Sequence, residues 1–145
     1  MNVAAGVLLI IAAIFNIIGG CGYAVVGGAA TAVGEIGSEL EAADPSLAGS
    51  DFASEADSVK AAGAGLAFWG FALFGIAGIM IGGAVCSFTK KKKGFVLATG
   101  VLAIIAEVVG IGLTAFGITN VVGLVAGVFV FVAIRSFPSP AAATA

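Results

Sequence analysis

Thr89-Lys90-Lys91-Lys92-Lys93-Gly94 is the stretch whose reading decides the fold of this chain. It sets four consecutive ammonium groups between two tracts made almost wholly of Ala, Gly, Val, Ile, Leu and Phe. On its far side, Gly94 to Ile134 runs apolar for roughly forty residues, twice what one helix needs to cross a bilayer core. Two helices joined by a short turn fit that tract. On its near side, Ala61 to Phe88 forms another span-length segment, and Val3 to Val33 a first one.

Composition explains why lipid is the expected solvent. The 145 residues are 61% hydrophobic and 10% charged, whereas soluble domains run about 45–50% and about 25%. Mean hydropathy is +1.22. A soluble fold of this size leaves much of its surface wet and could not hide so much apolar area. The expected fold class is therefore all-α: a four-transmembrane-helix antiparallel bundle in a single domain, 1–137. The spans are expected at about 3–33, 61–88, 94–117 and 120–137, with an acidic loop over 34–60 and a short tail over 138–145. No basic residues precede the first apolar run, which is longer than a signal peptide's, so it is expected to be retained as a span.

The acidic loop has its own internal signals. Proline disfavours helical geometry in the residue before it, which predicts a helix stop near Asp44-Pro45. Ser50-Asp51-Phe52 reads as a helix start with an acid in the first turn, and that helix is expected to run on into the second span. Between the third and fourth spans, Gly117-Ile118-Thr119-Asn120 predicts the turn, with Asn120 suited to cap the next helix.

Charge sets the expected orientation. Lysine and arginine in short loops mark the cytoplasmic side, so Lys90, Lys91, Lys92 and Lys93 place their loop inside. Alternation then puts both termini inside, in agreement with Arg135, and the 34–60 loop outside. Against these stands Lys60 alone. The run is thus first an address label. Near a charged leaflet each lysine could also gain about 1 kcal/mol from anionic lipid headgroups.

Several function classes lose support. Seven of the eight acids (Glu35, Glu39, Glu41, Asp44, Asp51, Glu55 and Asp57) fall in one window, and no basic groove with interleaved aromatics offers a nucleic-acid surface. Histidine is absent, which removes the commonest metal ligand and the usual haem ligand. Two cysteines alone cannot close a zinc site. Cys21 and Cys86 are expected at different membrane depths and so unpaired. Cys86 beside the lysine run has a setting suited to S-acylation, or is an ordinary small thiol. No cofactor, metal or catalytic group is expected, and an enzyme is not indicated.

Glycine is plentiful, at 23 residues. Gly100, Ala103, Glu107, Gly110, Thr114 and Gly117 alternate at steps of three and four, making one stripe of small residues on the third span. Gly78 with Gly82, and Gly123 with Gly127, are each G-x-x-x-G. Lipid supplies no hydrophobic drive between helices, so close backbone approach at small residues supplies the packing. Such faces serve either internal packing or self-association.

Glu107 is the one ionisable residue expected inside a span. An acid near mid-membrane costs on the order of 2–3 kcal/mol, so its place in the stripe predicts that it faces protein. Counting about 1.5 Å per residue puts it roughly 20 Å deep. Asn16 reaches a similar depth on the first span and is expected within reach. A protonated acid bonded to Asn16, Thr114 or a backbone carbonyl would hold helix register; a proton or cation relay is the other reading.

Glu107-Val108-Val109-Gly110-Ile111-Gly112-Leu113 resembles the stretch around the essential carboxylate of rotary ATPase proteolipid subunits, a resemblance that implies a proton-carrying ring. The topology, with both termini inside and a larger first outer loop, resembles small four-span proteins of the tetraspan or claudin-like kind. Gly34 to Lys60 holds neither Trp nor Cys, so this resemblance is one of topology. The residues thus lead to a non-enzymatic structural or accessory membrane protein, partnered by the bilayer and by copies of itself or other membrane subunits. A small proton or cation transport component acting through Glu107 is the alternative.

Overall fold

A helix is the only single-segment structure that satisfies its own backbone hydrogen bonds in hydrocarbon, and no proline interrupts the apolar tracts of this chain. The computed structural model describes residues 1–47, 50–113 and 117–137. Four helices account for most of them: α1 (Asn2–Ala43), α2 (Asp51–Thr89), α3 (Lys93–Leu113) and α4 (Ile118–Ala133). Short 3-10 turns follow α1 at Pro45–Leu47 and α4 at Ile134–Ser136. Among the described residues there is no strand. All four helices, the last taken on to Ser136, are long and apolar enough to cross a membrane.

The helix ends follow local chemistry. α1 stops at Ala43, one residue before Asp44-Pro45. Asp44 Oδ1 accepts the Ser46 backbone N–H at 3.0 Å and the Ser46 hydroxyl at 2.7 Å, and these bonds hold the Asp44 carboxyl below its ordinary value. α2 starts at Asp51 and continues unbroken to Thr89. Ser50 does not cap it through its side chain; its hydroxyl turns back to the Leu47 carbonyl. At the other end of α2, Lys90 N–H reaches Ser87 O and Lys91 N–H reaches Cys86 O. This is the paired closure made when the residue after a helix turns left-handed, and Lys90 has φ 52°.

The chain divides into two compact units: Met1–Ile17 with Phe74–Ala145, and Ile18–Leu73. In the Ile18–Leu73 unit the later part of α1 runs against the early part of α2 along a seam of small residues. Gly20, Gly27 and Gly34 recur every seven positions on α1, and Ala56, Gly63 and Gly70 do so on α2. A Cβ added at Gly63 would lie 2.5 Å from Thr31 N, and one at Gly70 would lie 2.7 Å from Gly20 O. Two backbones therefore touch directly, which only glycine permits. The seven-residue period keeps one face of each helix on its partner.

In the other unit, α3 packs on α4, and the first part of α1 on the last part of α2. Its core is built mainly from alanine: Ala5, Ala12, Ala13, Ala77, Ala84, Ala103, Ala126 and Ala133, with Leu9, Met80, Val96 and Val130 as the larger members. Large apolar side chains point outward instead, Ile118 being 80% exposed and Val109 40%. Small inside and large outside is the arrangement that lipid favours, since tails solvate Ile as well as a core does.

Of the glycines expected to pack helices, Gly100, Gly110, Gly123 and Gly127 are buried. A Cβ at Gly100 would sit 2.6 Å from Val130 Cγ1. Gly78 departs from that role, and Gly82 meets a neighbouring helix only through a side chain. At Gly78 an added Cβ would meet nothing within 4 Å, and at Gly82 only the Phe95 ring, at 3.4 Å. The close approach of α2 to α3 is made one residue further on, at Gly83, where a Cβ would lie 2.5 Å from Thr99 Cγ2. Of the G-x-x-x-G pair of α2, Gly82 therefore meets α3 only through the Phe95 side chain, and Gly78 lies clear of the contact.

Candidate functional site

Glu107 lies on the buried face of α3 with Gly100, Ala103, Ala106 and Gly110. A spacing of three and four puts these residues in one row, and Glu107 is 7% exposed. Its Oε2 accepts a hydrogen bond from Asn120 Nδ2 at 2.9 Å. Asn120, itself 8% exposed, is the third residue of α4, and its Oδ1 accepts the Gly117 backbone N–H at 2.8 Å. One amide thus spends its donor on the acid and its acceptor on an orphan N–H at the start of α4.

Gly123 makes room for the carboxyl. A Cβ at Gly123 would overlap the Glu107 carboxyl group, so the acid rests directly on the α4 backbone. The first turn of a helix carries partial positive charge, and that end of α4 lies beside the carboxyl. The site supplies an acidic group with a neutral donor and a helix end, without a basic side chain bonded to it.

Asn16 is also buried, at 8% exposure, but its amide points elsewhere: Nδ2 lies 3.3 Å from Met80 Sδ, a weak acceptor. The acid's amide partner is Asn120, not the Asn16 expected from depth. Depth along a membrane ranks residues by height and says nothing of which helices are neighbours. The sequence sets Asn120 in the turn between the third and fourth spans, as a residue suited to cap the next helix. Asn120 reaches Glu107 from the first turn of α4, the helix that packs on α3. Thr114 lies outside the described residues.

A second polar cluster was not foreseen. Asn2 is 5% exposed and Ser87 0%. The Ser87 hydroxyl donates to the Asn2 backbone carbonyl at 3.0 Å. Ser136 Oγ lies within hydrogen-bond distance of Asn2 Oδ1 and of the Ala133 carbonyl. Asn2 therefore ties the start of α1 to the end of α2 and to the turn that ends α4. Lys90, Lys91, Lys92 and Lys93 are exposed, as is Arg135. The signal that could have revealed this clasp is a polar residue at the expected inner end of each of three apolar segments.

Both cysteines are free, with Cys21 exposed and Cys86 half-buried. Among the described residues no group of three or more Cys, Asp or Glu side chains is arranged to hold a metal ion. No family model, no curated protein and no solved structure matches this chain.

Proposed function

We propose that this chain is a non-enzymatic, integral multi-pass membrane protein that works by association, with copies of itself or with other membrane subunits. Its lysine loop and both termini lie on the cytoplasmic side and its acidic 34–60 segment outside, as the positive-inside rule requires. What supports the reading is a glycine face on α2 that its own unit leaves uncovered. Gly75 and Gly78 are exposed and Gly82 is half-buried; Cβ atoms at Gly75 and Gly78 would meet nothing within 4 Å. Spaced by three and four, these residues form one smooth strip on which another helix can pack closely. The test is Gly78→Leu in reconstituted vesicles, with association read by energy transfer between labelled copies. Loss of transfer with unchanged helicity supports the proposal; a parent protein that shows no transfer and captures no membrane partner removes it.

The second reading is a small proton or cation transport component acting through Glu107. Its support is the buried carboxyl itself, since an acid within a span is a functional candidate by default. The Asn120 bond and the Gly123 seat favour a structural latch instead. Glu107→Gln separates the two readings. A parent that carries no proton or cation flux under any gradient removes transport, and flux lost in a fully assembled variant removes the latch.

A further inference from the structure

We propose that the end of the Met1–Ile17 and Phe74–Ala145 unit carrying Lys90–Lys93 and Arg135 is a cationic collar that binds the anionic headgroups of membrane phospholipids. Three observations converge on it. The first is the Asn2 clasp, which draws Ser87 and Ser136 to one residue. Lys90 follows Ser87 by three positions and Arg135 adjoins Ser136, so the tertiary structure gathers five basic side chains that the sequence keeps in two separate places. The second is charge. Within the residues of this unit the only acid is Glu107, which is buried and bonded to Asn120. The five cations have no acid of their own unit on the surface to neutralise them.

The third observation is backbone conformation. Lys90 and Lys92 have φ of 52° and 50°, a region that glycine enters freely and a lysine side chain resists. Helix ends that turn this way usually carry glycine. Here the turn keeps lysine at both positions, with all four side chains exposed. Phe88 and Phe95, 41% and 40% exposed, flank the run and set apolar rings on either side of it. An ammonium is a strongly hydrated point charge that suits a phosphate, and clusters of four or more beside a span attract anionic leaflets. Lipid headgroups are the occupant favoured over free phosphate, because the rings and the outward Val85 beside them (55% exposed) lie where acyl chains would lie.

The test uses the full chain in phosphatidylcholine nanodiscs, which expose both faces and so make insertion sense irrelevant. Trace spin-labelled phosphatidylglycerol or phosphatidylcholine reports the motionally restricted fraction of each lipid. The parent should prefer phosphatidylglycerol by roughly fivefold or more, the scale of a basic side chain near an anionic surface. High salt should erase this preference because exposed charges are screened. Replacing all four lysines with glutamine should bring the ratio near unity. Arg135→Gln should lower it in part, and Arg135→Lys should restore it. Millimolar inorganic phosphate should leave the ratio unchanged. Equal restriction of both lipids by the parent, a preference that survives loss of the four lysines, or full competition by phosphate would each overturn the proposal. An unaltered ratio in Arg135→Gln would overturn the collar as a joint feature of α2, α3 and the end of α4.

Discussion

Asn120 holds the Glu107 carboxyl across the α3–α4 interface, donating to Oε2 at 2.9 Å while its own Oδ1 takes the Gly117 N–H. Thirteen residues separate the two along the chain, so the bond closes a short helical hairpin. It also decides how the most costly group in the spans is accommodated. The acid needs a donor on a neighbouring helix and a gap for its bulk, and Asn120 and Gly123 supply them from one helix.

Removing the donor should therefore hurt more than removing the charge. Asn120→Leu leaves a buried carboxyl oxygen unsatisfied, a penalty of about 1–3 kcal/mol, at the upper end of what interhelical bonds contribute in membranes. Glu107→Gln keeps an acceptor for Asn120 and should cost less than about 1 kcal/mol. Unfolding titrations in mixed micelles check both, and a double-mutant cycle should return a coupling well above that of Asn16 with Met80.

Glycine substitutions should divide by what each would touch. Gly123→Ala drives a methyl into the Glu107 carboxyl and should destabilise by about 1–3 kcal/mol, the usual cost of overpacking. Gly78→Ala meets open space and should leave the stability of the isolated chain unchanged or raise it by up to about 1 kcal/mol through helix propensity. The same micelle titration reads both.

Two residues apart on α2, Gly63 and Gly65 give a matched pair. A methyl at Gly63 strikes the Thr31 and Gly27 backbone, which cannot move aside as a side-chain tip can, whereas one at Gly65 meets nothing within 4 Å. Gly63→Ala should loosen the seam of the Ile18–Leu73 unit and speed amide hydrogen exchange along residues 24–34. Gly65→Ala should slow exchange or leave it unchanged.

Lys92→Gly should stabilise the protein by about 1 kcal/mol, by removing a left-handed conformation that costs a side-chain-bearing residue that much. Thermal unfolding in detergent would show the gain. The same variant should lower the preference for phosphatidylglycerol, so stability and lipid binding move in opposite directions.

The Asp44 carboxyl should titrate below its ordinary value of about 3.9, because Ser46 donates two hydrogen bonds to its ionised form. With the folded value lowered, the contribution of this turn is present above the unfolded value and is lost as pH falls through the folded one. Carbon-detected NMR titration of Asp44 is the measurement. Ser46→Ala should move the midpoint up towards the ordinary value, and its effect on the turn should be felt above about pH 4 and fade as the carboxyl is protonated in stronger acid.

Much was legible from local chemistry. The Asp44-Pro45 stop, the start at Asp51 and four apolar helices all follow from propensities and lengths that need no neighbour. The stripe containing Glu107 predicted its burial for a similar reason: lipid penalises a charge on any other face. The small-residue seam of Gly20, Gly27 and Gly34 with Ala56, Gly63 and Gly70 was equally present in the residue spacing. The shorter G-x-x-x-G pattern points to Gly78 and Gly82 instead, where Gly78 meets no neighbour and Gly82 only the tip of the Phe95 ring.

Residue order by itself determined that the chain is helical, long and apolar enough to cross a membrane four times, and that its acids and lysines are segregated. Those properties follow from how each segment meets its solvent. Only the tertiary structure decided that Asn120 rather than Asn16 bonds the acid, that Asn2 draws Arg135 and the lysine run to one end of their unit, and which glycines touch a neighbour. Each of these depends on which helix lies beside which and in what register. In lipid, where apolar burial hardly discriminates between pairings, that choice rests on close packing at small residues and on the few polar groups that must find a partner.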